Sequence, residues 1–85
     1  MPFFLPKIVT QETALQVQQE GLLNVTALTT VDCSELAEFD STVLTVLLAW
    51  QKKLQEDGLS LSVERVPEKL KVLASVYGVS ALLGL

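Results

Sequence analysis

Apolar and polar positions change period several times along the chain, and those changes divide it into elements. Residues Ile8 to Val17 alternate loosely, and Ala14, Leu15 and Val17 in particular predict a first strand or hairpin arm. Gly21 is a turn signal. The stretch Leu22 to Thr29 (LLNVTALT) suits one or two helical turns or a second strand, and because Asn24 and Thr26 sit among aliphatic residues without clean alternation a short helix is favoured there. Thr30 to Cys33 reads as a short buried strand that runs into an acidic loop.

The clearest element is a helix from about Ser41 to Asp57. Asp40 suits its N-cap, and Phe39 and Leu44 stand at the N′ and N4 positions of a hydrophobic staple. Val43, Leu47, Trp50 and Leu54 follow helical spacing, and Leu44 and Leu48 widen the stripe. Lys52 and Lys53 suit the negative end of the helix dipole, and Gly58 supplies the stop. Leu59 to Val63 (LSLSV) then has the two-residue period of a strand. Pro67 fits the first position of a last long helix with Leu70, Leu73, Ala74 and Tyr77 as its apolar face and Gly78 at its end. Val79 to Leu85 is an apolar tail, strand or helical turn, that packs on the core or serves as a docking tail. Strand, short helix, strand, helix, strand, helix is the order of a layered α/β domain with helices on a mainly parallel sheet.

Composition narrows the function. The 85 residues suit one domain spanning 1–85, and 49% hydrophobic against 19% charged residues suggests that some apolar surface meets a partner. With a net charge of -4 and six basic residues scattered over several segments, the chain lacks the basic stripe that nucleic-acid binding needs. Histidine is absent and Cys33 is the single cysteine. That removes internal disulfides, imidazole or thiolate zinc sites and His-based acid/base chemistry. Neither a metal nor another cofactor is expected. The opening MPFFLPK is too short and too interrupted by Pro2 and Pro6 for a signal sequence, and no stretch approaches the apolar length of a membrane span. A cytoplasmic protein without direct membrane insertion is the expectation.

The candidate chemistry gathers between Asp32 and Thr42. Ser41 and Thr42 sit at a helix start, where unpaired N–H groups and the positive dipole end welcome an anion or a partner's acceptor. Ordinary capping explains Asp40-Ser41-Thr42 equally well on sequence alone. The acids Asp32, Glu35 and Glu38 form a rim suited to a basic partner, and no glycine-rich phosphate loop accompanies them. Cys33 reads as a small buried apolar residue, and Trp50 and Tyr77 as core or half-buried aromatics.

The strand end Val31-Asp32-Cys33-Ser34, followed by Asp40-Ser41-Thr42 at the head of an amphipathic helix, resembles the STAS family, named for sulfate transporters and anti-sigma factor antagonists. LSLSVERVPEKLKVLASVYGV looks like the next strand and helix of that family, and EKLKVLASVYGV is most similar to its MlaB-type branch. Val43 stands where the family usually has glycine. The resemblance implies a small STAS-like fold of about four strands in a mainly parallel or mixed sheet, with a shortened first helix. It implies a non-catalytic accessory subunit that binds the ATPase of a phospholipid-transport ABC complex, and through it the permease, at the cytoplasmic face of the inner membrane. Such a subunit supports outer-membrane lipid asymmetry. Ser41 matches the hydroxyl retained in those subunits. Thr42 matches the residue phosphorylated in anti-sigma factor antagonists, so the alternative is a phospho-switch at Thr42 or Ser41 with a serine kinase and an anti-sigma factor as partners. Surface left open by a short first helix would be covered by the ATPase or by a second copy in a homodimer.

Overall fold

A computed structural model describes residues 2–24 and 29–85. The chain runs β1 (Phe3–Phe4), β2 (Ile8–Val9), α1 (Ala14–Leu22), β3 (Thr30–Asp32), β4 (Glu38–Phe39), α2 (Thr42–Glu56), β5 (Ser62–Glu64), α3 (Glu68–Val76) and α4 (Ser80–Leu83). Among the described residues all strand pairing is parallel. One sheet has the order β1-β3-β5, with Phe3 opposite Val31 and Val31 opposite Val63. A second, two-stranded ladder sets Ile8 against Glu38 and Val9 against Phe39. The α/β layering expected from the alternation is therefore present, with five short strands in two sheets instead of about four in one.

Helix α2 is the axis of the core. Val43, Leu44, Val46, Leu47, Trp50 and Leu54 are all buried on it, as the 3.6-residue spacing requires. α1 packs on α2, and α4 rests against both α2 and α3. The Gln51 side-chain amide donates to the Leu82 carbonyl, which fixes α4 to α2. At the C-terminal end of α2, Gly58 adopts φ +75°. Its N–H then reaches the Gln55 carbonyl at 3.1 Å and the Leu59 N–H reaches the Leu54 carbonyl at 2.7 Å. This paired-bond stop satisfies carbonyls that the helix end would otherwise leave open.

The N-terminal third departs from the sequence expectation. Only Ile8–Val9 is strand, and Ala14, Leu15 and Val17 belong to a nine-residue helix. The buried residues Val17 and Gly21, with half-buried Ala14 and Gln18, define the inner face of the helix, while Leu15 is exposed. Gly21 lies inside that helix instead of marking a turn, because Trp50 occupies the space beside it. A Cβ at residue 21 would stand 2.4 Å from the Trp50 ring. Trp50 also donates its indole N–H to the Gln18 carbonyl at 3.0 Å and meets Phe3 edge-on, with centroids 5.1 Å apart. The short helix expected over Leu22 to Thr29 does not start there, since Leu22 ends α1, and residues 25–28 lie outside the described residues.

Smaller shifts concern boundaries. β5 begins at Ser62 rather than Leu59, and Pro67 precedes α3 with extended backbone (φ -62°, ψ 145°) instead of occupying its first turn. Its carbonyl accepts the Leu70 N–H at 3.0 Å, so it serves as the cap residue. Leu70 and Ala74 are buried as expected, whereas Tyr77 falls just past the last turn and is exposed. The tail forms α4, which buries Leu83 and leaves Leu82 at the surface.

Candidate functional site

Parallel strands bring their C-terminal ends to one side of the domain. There the segment leaving β4 turns directly into α2, and Asp40 occupies the turn. Its backbone N–H donates to the Val9 carbonyl at 3.3 Å, which continues the β2–β4 ladder by one bond. Its carboxylate works as a three-way clamp. Oδ1 accepts the Thr42 N–H at 2.9 Å and also the Thr42 hydroxyl, while Oδ2 accepts the Gln11 N–H at 3.0 Å from the turn before α1. The hydrogen bond from the Thr42 hydroxyl, and then those from the Gln11 and Thr42 backbone, hold the Asp40 carboxyl below its ordinary range. Asp40 is thus the chemical cap of α2, as the sequence predicts. The helical backbone already begins at Ser41, with φ -62° and ψ -17°.

The two hydroxyls differ. Thr42 donates to Asp40 and is held inside the cap. Ser41 is half-buried, and among the described residues its hydroxyl has no hydrogen-bond partner. Val43 is fully buried, so the position the family fills with glycine here supplies core volume. Of the trio, Ser41 alone offers an uncommitted polar group to another molecule.

The acidic rim divides in the same way. Asp32 is not a surface residue: Val31, Asp32 and Cys33 are consecutive buried positions, as in a strand covered on both faces. Its side chain is 4% exposed, accepting the Ser34 N–H at 2.8 Å and the Arg65 guanidinium at 3.1 Å. Those Ser34 hydrogen bonds, outweighing burial and aided by the Arg65 charge, lower the Asp32 pKa from its ordinary value. Its role is internal, joining the end of β3 to the residue after β5. Burial, then the Asp32 charge, pushes the neighbouring Cys33 thiol up to about 12, as suits an inert core cysteine.

Glu35 and Glu38 are exposed, and neither is in an ion pair among the described residues. Glu38 is held in β4, and its N–H donates to the Lys7 carbonyl at 2.9 Å. Two residues at the site carried no signal in the sequence. Gln11 reaches Asp40 from 29 positions away, and the Lys69 ammonium lies 5.9 Å from the centroid of the Phe39 ring. Only the fold brings them there. Among the described residues no group of three or more cysteine and carboxylate side chains gathers as a metal site would, and no helix is long and apolar enough to cross a membrane.

The fold thus sets an open hydroxyl at a helix start in a small α/β domain. Sequence comparison agrees with the architecture. The family described as Mlab, STAS domain, matches residues 8–84, and the chain belongs to that family. No curated protein matches the chain.

Proposed function

We propose that the protein is a non-catalytic accessory subunit of an ABC phospholipid transporter, which binds the transporter's cytoplasmic ATPase and so supports outer-membrane lipid asymmetry. Ser41 carries this reading. Among the described residues its hydroxyl makes no hydrogen bond, and by resemblance it stands where the MlaB-type subunits retain a hydroxyl, while Asp40 and Thr42 are consumed in capping α2. Glu35 and Glu38 are exposed in the segment that leads to α2, and their negative charge favours a basic partner surface and speeds encounter. No catalytic step is assigned, and the hydroxyl–carboxylate contact of Thr42 with Asp40 serves to cap α2.

The partner-switch alternative uses the Thr42 or the Ser41 hydroxyl, and of these Thr42 is already given to Asp40. At Thr42 a kinase would first have to break the cap, and a phosphate placed there would face the Asp40 carboxylate at close range. Neither docking through Ser41 nor phosphorylation of Ser41 requires such a rearrangement.

Co-purification of the tagged protein from its native cells tests the choice. An ABC ATPase and its permease should be captured, and Ser41→Arg should abolish capture while the thermal midpoint stays unchanged. A folded Ser41→Arg protein that still captures the ATPase in full would refute the docking surface. Recovery of a kinase or anti-sigma factor, with phosphate on Thr42, would transfer the protein to the signalling class.

A further inference from the structure

The two edges of the three-stranded sheet are treated differently by the sequence. β1, at one edge, is flanked by Pro2 and Pro6 and followed by Lys7, residues that discourage another strand from pairing. β5, at the other edge, has no such guard: from Leu59 to Glu64 there is neither proline nor lysine. The Glu64 carbonyl accepts the Cys33 N–H at 2.9 Å, so Glu64 faces β3 and the alternation of the ladder turns the N–H and C=O of Val63 outward. Among the described residues these outward groups of Val63 make no hydrogen bond. Ser62 and Glu64 are exposed, and Leu59 beside them is 41% exposed.

From this we infer that β5 is a self-association edge, which pairs antiparallel with β5 of a second copy about a two-fold axis through Val63. The argument for a second copy is register. Centred on Val63, the two Val63 residues exchange reciprocal main-chain hydrogen bonds, and each Ser62 lies opposite a Glu64 of the other chain. No like charges face each other. Shifting the axis to Glu64 would set two carboxylates opposite one another, which is unfavourable. The product is a continuous six-stranded sheet running through both copies, with the guarded β1 strands at its outer ends. Arg65, at φ 55°, turns the chain out of the strand immediately afterwards and keeps the seam short. A short seam gives a weak dimer. The inference does not depend on the transporter reading, because the Ser41 site lies on a different element.

Sedimentation velocity of the full chain from micromolar to near-millimolar concentration, with two variants at Ser62, decides it. Ser62→Glu places carboxylates opposite Glu64 twice in each dimer and should weaken association by about three- to tenfold, whereas Ser62→Lys should strengthen it by a similar factor. Residue 62 is exposed, so both variants should keep the wild-type thermal midpoint. A wild-type protein that stays monomeric throughout overturns the proposal. So does a dimer indifferent to both variants, which would form through another surface such as the exposed Val72 and Val76 of α3. Weakening by both charges alike would place residue 62 opposite itself and overturn the Val63 axis.

Discussion

Three residues show how single side chains fix this domain. Trp50 is completely buried, with its indole N–H satisfied by Gln18 and Phe3 against its ring edge, and it leaves room at residue 21 for hydrogen only. The helix accepts an interior glycine that costs it roughly 1 kcal/mol relative to alanine, because the close approach to the indole is worth more. Gly21→Ala should therefore destabilise the protein by about 1–3 kcal/mol despite its better helix propensity, read as a lowered urea midpoint. A stabilised Gly21→Ala would show that the indole moves aside freely. Cys33 makes a second test. With its thiol buried and its pKa pushed up to about 12, alkylation at neutral pH should proceed only as fast as the protein opens, and denaturant should accelerate it sharply. Labelling of the native protein at the rate of a free thiol would contradict the burial. Asp40 is the third: one carboxylate accepts three hydrogen bonds, and so leaves Ser41 as the open group of the motif.

Among the elements, α2 does most to organise the fold. It is bounded at both ends by local chemistry, by the Asp40 cap at its start and by Gly58 with its paired terminal hydrogen bonds at its end. Nothing lies within 4 Å of where a Cβ would stand on Gly58, so substitution there tests backbone conformation alone. Gly58→Ala should cost about 1–2 kcal/mol, the penalty of a side chain at positive φ, with an unchanged denaturant slope. A loss close to zero would mean that the helix can end in another way. α1 has the opposite character. Its start has no side-chain cap and an interior glycine weakens it, so packing against α2 holds it in place. The strands are shorter still, two or three residues each, and are defined by their partners rather than by their own sequence.

At the scale of the molecule, two carboxylates connect separate parts of the chain, and both make the fold sensitive to acid. Asp32 joins β3 to Arg65, and Asp40 joins α2 to the Gln11 turn. Both pKa values are lowered from an ordinary 3.8, so the unfolded chain binds protons that the folded one refuses. Their stabilising contribution is complete above the ordinary carboxylate range and is lost as pH falls through the depressed folded values. The urea midpoint should hold steady near neutrality and drop below about pH 4, and Asp32→Asn should flatten part of that drop. An unchanged acid profile in Asp32→Asn would remove Asp32 from the account. The same scale separates what could be read in advance from what could not. α2, its cap, the buried Cys33 and the α/β order were legible because periodicity and end signals are local. The Asp40-Ser41-Thr42 motif was legible for the same reason. Helix α1 was not, because Gly21 has its role only beside Trp50. Asp32 turns inward, not to the surface, because its strand is buried on both faces and its carboxylate is satisfied by Ser34 beside it and by Arg65, 33 residues away. By itself the sequence determined the class of the fold, the long helix and the motif at its head, all consequences of side-chain spacing and capping. The choice between an engaged Thr42 and an open Ser41, the inward turn of Asp32 and the presence of Gln11 and Lys69 at the site were decided by tertiary structure alone, since each depends on groups that only the folded chain brings within reach.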